Sequence, residues 1–211
     1  MTASAAVVAP ALSPPVTGGL PMASAQACSD VMVVFARGTG EPPGIGRVGQ
    51  AFVDALRPQL GARTLSTYGV NYPASYDFAL ASDGATDATA FVTSTAQACP
   101  STRFVLGGFS QGAAVVDMLG GVPPLGNRLG AIGPVLPATV SPNIAAVAVF
   151  GNPATKFGNP ITSAALFGGR AIDLCKDGDP ICSSGRNPFA HSDYVAAGLA
   201  GQAAAFVARL V

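Results

Sequence analysis

The sequence predicts an α/β fold, a three-layer α/β/α sandwich around a central, mostly parallel sheet. Three observations predict it. Short continuous apolar runs, the mark of strands buried on both faces, alternate with longer segments of helical rhythm. Of the 211 residues 49% are hydrophobic, enough for the core of one domain. One apolar run leads straight into Gly108-Phe109-Ser110-Gln111-Gly112, a Gly-x-Ser-x-Gly pentapeptide of the kind found on sharp strand-to-helix turns.

The elements follow in order. Residues 31–36 form an apolar run that ends in Arg37-Gly38-Thr39-Gly40 and reads as a buried parallel strand feeding a tight loop. Residues 48–60 carry Val48, Phe52, Leu56 and Leu60 at a four-residue interval, a helical pattern. Residues 64–70 suggest a second strand, stopped by Asn71-Tyr72-Pro73, and the Ala- and Thr-rich residues 77–98 a second helix. Residues 103–106 are the strand before the pentapeptide, and residues 112–119 the helix after it, stopped by Gly120-Gly121. Residues 122–143 and 152–169 are rich in Gly and Pro and read as long irregular loops on either side of a strand at 145–150. A short strand at 170–174 leads into a cysteine-bracketed loop, and residues 192–211 read as a closing helix with Val195, Leu199, Phe206 and Leu210 on one face.

Charged residues make up only 10% of the chain, with 11 basic and 11 acidic side chains in balance. No basic stripe is available to neutralise phosphates, which excludes a nucleic-acid partner. The surface left to Ala, Gly, Ser, Thr and Pro suits contact with a cell wall or lipid-like material. Residues 1–27 read as a signal-peptide remnant or a disordered leader, with an apolar stretch from Ala5 to Leu12 and the Ala23-Ser24-Ala25 cleavage pattern, but no early basic residue. Residues 28–211 then form one domain. Later apolar runs are broken before they reach membrane-spanning length. Four cysteines, Cys28, Cys99, Cys175 and Cys182, are an even count after an export-like start, which predicts two disulfides among three pairings. Their spacing does not match the two to four residues within each pair of a zinc site.

The chemistry centres on Ser110 and on His191, the single histidine of the chain. A serine hydroxyl is a weak nucleophile until a base takes its proton. The chain offers one imidazole, placed downstream of the elbow, in the Ser–Asp–His order of α/β-hydrolases. His191 would accept the Ser110 proton and return it to the leaving group. The acid between them is one of Asp117, Asp173, Asp177 and Asp179. Asp117 lies two turns into the helix after the elbow and Asp173 inside a strand, whereas Asp177 and Asp179 share the bracketed loop; residue logic does not separate those two.

Several segments carry a resemblance: Ala36-Arg37-Gly38-Thr39, Val70-Asn71-Tyr72-Pro73-Ala74, Gly107-Gly108-Phe109-Ser110-Gln111-Gly112, Asp173-Leu174-Cys175, Asp179-Pro180-Ile181-Cys182 and the final His191. On these the chain resembles the cutinase family, in particular its mycobacterial cutinase-like members, over residues 28–210. The resemblance implies a small α/β-hydrolase fold and Asp179 as the acid, with Asp177 a solvated loop residue. It also implies Cys28–Cys99 and Cys175–Cys182 pairing, secretion, and no metal or organic cofactor. An oxyanion hole is expected from the backbone N–H of Gln111, the residue after the nucleophile, and by the family pattern from Thr39. Ile132, Val135, Leu136, Phe157 and Leu166 in the two long loops are candidate acyl-chain contacts or packing residues. Phe189, two residues before the base, is the preferred substrate contact.

The expected activity is that of a secreted, monomeric serine esterase. It would act on short- to medium-chain carboxylic esters, small or in a lipid or polymer, through an acyl-enzyme. Acetyl-polysaccharide esterase, phospholipase and thioesterase activities use the same machinery. A non-catalytic wall-associated binding protein is the contrasting expectation.

Overall fold

The computed structural model describes residues 1–2, 28–127 and 133–211. The expected leader therefore lies almost wholly outside the described residues, as does Ile132. The strands are β1 (Val31–Ala36), β2 (Leu65–Gly69), β3 (Arg103–Phe109), β4 (Pro124–Asn127), β5 (Ile144–Phe150) and β6 (Ala171–Leu174). The helices are α1 (Gly46–Leu56), α2 (Ala81–Ala98), α3 (Gln111–Leu119), α4 (Pro153–Lys156) and α5 (Leu199–Ala208). Five strands form one parallel sheet in the order β2-β1-β3-β5-β6.

The strand sequences explain the order. β5 is buried along its whole length and β3 from Phe104 onward, as continuous apolar runs require at the centre of a covered parallel sheet. β2 and β6, less apolar and partly exposed, take the edges. Side chains alternate between the two faces. Val34, Leu106, Val147 and Val149 point to one core beneath α2 and α3. Val33, Phe35, Val105, Ala148 and Phe150 point to the other, beneath α1 and α5. There the rings of Phe35, Phe52 and Phe150 meet with centroids 6.2–6.4 Å apart. Burying each such ring is worth about 2–3 kcal/mol. The α/β/α sandwich expected from the sequence is the observed architecture.

The observed boundaries differ from the expected ones in several places: β4 (Pro124–Asn127) lies in the expected loop at 122–143, α2 begins at Ala81 rather than at residue 77, and β3 continues to Phe109. The last helix begins at Leu199 rather than at residue 192, because Gly198 turns left-handed (φ 76°) and residues Pro188–Ser192 form a separate 3₁₀ turn. The first helix ends at Leu56 and passes into the 3₁₀ turn Arg57–Gln59, which contains Pro58. The loop at 152–169 contains α4, capped by Asn152, whose side chain accepts the Ala154 N–H ahead of Pro153 at the first helical position. Such one-turn elements are too short to leave a periodicity. The disulfides pair Cys28 with Cys99 and Cys175 with Cys182. Among the described residues no helix is long and apolar enough to cross a membrane.

Candidate active site

The loops that follow β1, β3 and β6 converge at the carboxyl ends of the strands, where open parallel sheets present their ligand sites. Ser110 stands between β3 and α3 with φ 55° and ψ −118°, a conformation that costs a non-glycine residue about 1–3 kcal/mol. Its neighbours must be small. A Cβ on Gly108 would come within 2.2 Å of the Gly112 carbonyl oxygen, and one on Gly112 within 1.9 Å of that of Ala36. The Ser110 N–H donates to the Phe150 carbonyl at 2.9 Å, which fixes the turn against β5.

His191 lies on the 3₁₀ turn Pro188–Ser192, held by the Asn187 side chain, which accepts the Phe189 N–H. Its ring stacks on Phe109 at 4.9 Å and is met edge-on by Tyr194. Its Nε2 is 2.8 Å from Ser110 Oγ and its Nδ1 is 2.7 Å from Asp179 Oδ2. Asp179 is wholly buried. The Tyr194 hydroxyl donates to the same Oδ2 at 2.6 Å, and the Ile181 N–H donates to Oδ1 at 2.8 Å. Every neighbour of this carboxyl group is thus a donor. Nδ1 therefore carries the imidazole proton, and Nε2 is left to accept from the serine hydroxyl. The Cys175–Cys182 bridge closes the loop that carries Asp179, and Ser183 Oγ donates to the Asp179 carbonyl at 2.6 Å.

The other acid candidates lie elsewhere. Asp177 is exposed. Asp117 and Asp173 share a second cluster, bridged by the Asn152 carboxamide at 3.0 and 2.9 Å. Burial pushes both carboxyl groups above the usual carboxylate range, and the charge of Asp173 raises Asp117 further.

Thr39 and Gln111 face each other across the elbow. Thr39 Oγ1 donates to Gln111 Oε1 at 3.1 Å, and Gln111 Nε2 donates to the Ser75 carbonyl at 3.1 Å. The buried glutamine side chain thus ties three loops together. Its backbone N–H is the first of α3 and has no intrahelical partner.

Ser110, His191, Thr39 and Gln111 all line one cavity of about 630 Å³, mostly apolar in its walls. Most of those walls carry no signal in the sequence: Tyr76, Phe78, Met118, Leu125 and Ile181. Phe189, the preferred substrate contact, is not brought to this cavity. It is 81% exposed and borders a separate depression beside Lys176 and Asp193. The physical reason is the 3₁₀ turn, on which residues two apart point in different directions. Val135 is exposed and Leu136 buried, and neither they nor Phe157 and Leu166 are among the lining residues. Tyr194 left no signal in the sequence, because its link to Asp179 exists only in three dimensions. Burial and the bond to Asp179 push its phenol far above its ordinary range.

A family model described as Cutinase matches residues 27–211. The chain belongs to the cutinase family. It is 50% identical over 210 residues to the "Phospholipase Culp4" of Mycobacterium tuberculosis, covering 99% of this chain and 87% of that protein. It is 52% identical over 194 residues to the "Probable carboxylesterase Culp3" of the same organism, covering 90% and 72%. The structure of a Trichoderma reesei cutinase in complex with a phosphonate inhibitor is similar, with TM-score 0.69 and 37% identity over 87% of this chain and 77% of that one. Membership of this cutinase family makes the protein a carboxylic ester hydrolase.

Proposed function

We propose that the protein is a secreted serine esterase that cleaves short- to medium-chain carboxylic esters through Ser110, His191 and Asp179. The observation that carries this reading is the unbroken hydrogen-bonded line from Ser110 Oγ through both nitrogens of His191 to Asp179, opening on an apolar cavity. His191 Nε2 takes the hydroxyl proton as Ser110 Oγ attacks the ester carbonyl carbon. The backbone N–H groups of Gln111 and Thr39 receive the oxyanion. Asp179 stabilises the imidazolium that forms. His191 then returns the proton to the departing alcohol oxygen and leaves an acyl-serine. Water enters by the same proton path and releases the acid. All five residues come from one chain, so a monomer suffices. Two disulfides support an oxidising, extracellular setting, and a surface poor in charge suits a wall or lipid environment.

A phospholipid substrate is the second reading, favoured by the relative named as a phospholipase. The test is hydrolysis of p-nitrophenyl butyrate, beside release of fatty acid from phosphatidylcholine, by the wild type and by Ser110→Ala. Loss of at least about a thousandfold in the variant, with an unchanged circular dichroism spectrum, is expected. Full residual activity would remove Ser110 from the mechanism. The two assays decide between the substrate readings.

A further inference from the structure

The cavity is not the same on its two sides. Ser110 and His191 lie at the strand ends, in the plane of the sheet. Glu41, Arg47 and Ser192 line the cavity on the α1 and α5 side. On the α2 and α3 side the walls are Ala81, Ala114, Met118, Pro124, Leu125 and Pro153, with no charged group among them. Within that lobe α3 contributes Gln111, Ala114 and Met118, spaced three and four residues apart, a single stripe along the helix. The stripe starts beside the nucleophile and runs inward. Ala114 is 7% exposed and Met118 only 2%.

We propose that this stripe is an acyl-chain ruler, with the acyl group lying along α3 from Ser110 and stopped by Met118. The proposal rests on the esterase reading above and adds the direction and length of the chain it accepts. The eight residue-to-residue rises from Ser110 to Met118 advance about 12 Å at ~1.5 Å each. An extended alkyl chain built of ~1.5 Å bonds advances about 1.25 Å per carbon. The lobe therefore matches an acyl group of about eight to ten carbons. Ala114, at the midpoint, offers only a methyl group and leaves the channel open. Met118 is the flexible kind of side chain that would ordinarily yield to a longer chain. Here it is held, because the Gly133 N–H donates to its Sδ at 3.3 Å. The polar side of the cavity then receives the alcohol. Arg47 is fixed there by the bond from its Nη2 to the Ser192 carbonyl at 2.7 Å, and the Glu41 carboxylate is engaged by the N–H groups of Gly38 and Arg47.

The experiment is kcat/KM for p-nitrophenyl esters from acetate to myristate, read within each enzyme as the ratio of every ester to the next shorter one. In the wild type each added methylene should raise kcat/KM by about fourfold (0.8 kcal/mol) up to eight to ten carbons and then fail to raise it. Met118→Ala removes three heavy atoms and should move that break two to three carbons further. Ala114→Leu places a branched chain about 6 Å from Ser110 and should bring the break down to about five carbons. Opposite shifts in the two variants support the ruler. Loss at all lengths by one factor, or a break that stays where it was in both, overturns it. Thermal melting of each variant is measured alongside, and Ala114→Val replaces Ala114→Leu if the latter does not fold. Ser110→Ala keeps the two readings apart. If it retains activity the esterase site itself is wrong, whereas Ser110-dependent activity with an unmoved break discards the ruler alone.

Discussion

Asp179 is completely buried and receives three hydrogen bonds, from His191 Nδ1, the Tyr194 hydroxyl and the Ile181 N–H. Asp117 is equally buried but receives one side-chain hydrogen bond, from Asn152, and its Oδ2 has no partner among the described residues. Asp173 gathers Asn152, Thr155 and the Ile161 N–H on Oδ2 and leaves Oδ1 without one. A buried carboxylate keeps its charge only where donors surround it. Donors meet both oxygens of Asp179, and one of them is an imidazole that reaches on to Ser110. In the second cluster two acids share one carboxamide, and burial pushes both toward the protonated form. The comparison teaches that burial and residue type do not distinguish an acid suited to proton-transfer chemistry from a structural one. The kind of donors, and their reach to both oxygens, do.

Asparagine substitutions at Asp179 and Asp117 test that distinction directly. Asp179→Asn reverses the hydrogen bond that fixes the His191 tautomer and should lower kcat by about 10⁴, the size found when the acid of a serine protease triad is neutralised. Asp117→Asn should keep activity within a few-fold of wild type. Hydrolysis of p-nitrophenyl butyrate by both variants is the measurement. A severe loss in Asp117→Asn together with a mild one in Asp179→Asn would move the acid to the second cluster.

Much of this was legible in the sequence, and the reasons are local. The strands announce themselves because a parallel strand covered on both faces must be apolar throughout, as in Ile144–Phe150. Ser110 is marked by glycines that the turn requires sterically, and His191 by being the one histidine of the chain. Asp179 was separable from Asp177 only by resemblance, since both lie in one bracketed loop and differ in which way the chain turns there. Tyr194, Phe78, Met118 and Leu125 were not legible at all. Their roles arise where α2, α3, β4 and the segment before α5 meet, and no spacing within a single element encodes that meeting. Phe189 was misplaced for a related reason, because proximity in sequence to His191 does not carry a side chain into the same cavity when the turn between them is 3₁₀.

Tyr194→Phe tests one of the Asp179 donors by itself. It keeps the ring that packs on Phe109 and Phe150 and removes only the hydroxyl. Loss of a hydrogen bond to a charged group is worth about 1.5–3 kcal/mol, so kcat should fall by roughly tenfold or more. With one donor gone, the negative charge on Asp179 Oδ2 is left more fully to His191. The charged groups on the turns beside His191 are unchanged by the substitution: Arg47 on Ser192, and Lys176 facing Asp193 at 4.0 Å. A kcat unchanged from wild type would reduce Tyr194 to packing.

The smallest effect concerns the second cluster and is read in stability. Asp117 and Asp173 have pKa values raised in the folded state, whereas in the unfolded chain they titrate near 3.9. Between those values the folded protein binds more protons than the unfolded one, so stability falls as pH rises. The contribution is complete below about pH 3.9 and is lost as pH climbs through the folded values, at about 1.4 kcal/mol for each pH unit per group. Asp117→Asn deletes one of the two titrations. Urea unfolding of wild type and variant at intervals from pH 4 to pH 8 should therefore give a shallower decline in the variant, and a variant more stable than wild type at the upper end. Parallel curves for wild type and Asp117→Asn would mean that the folded cluster carries both charges without cost, and the contrast between the two sets of carboxylates would then rest on their reach to Ser110 alone.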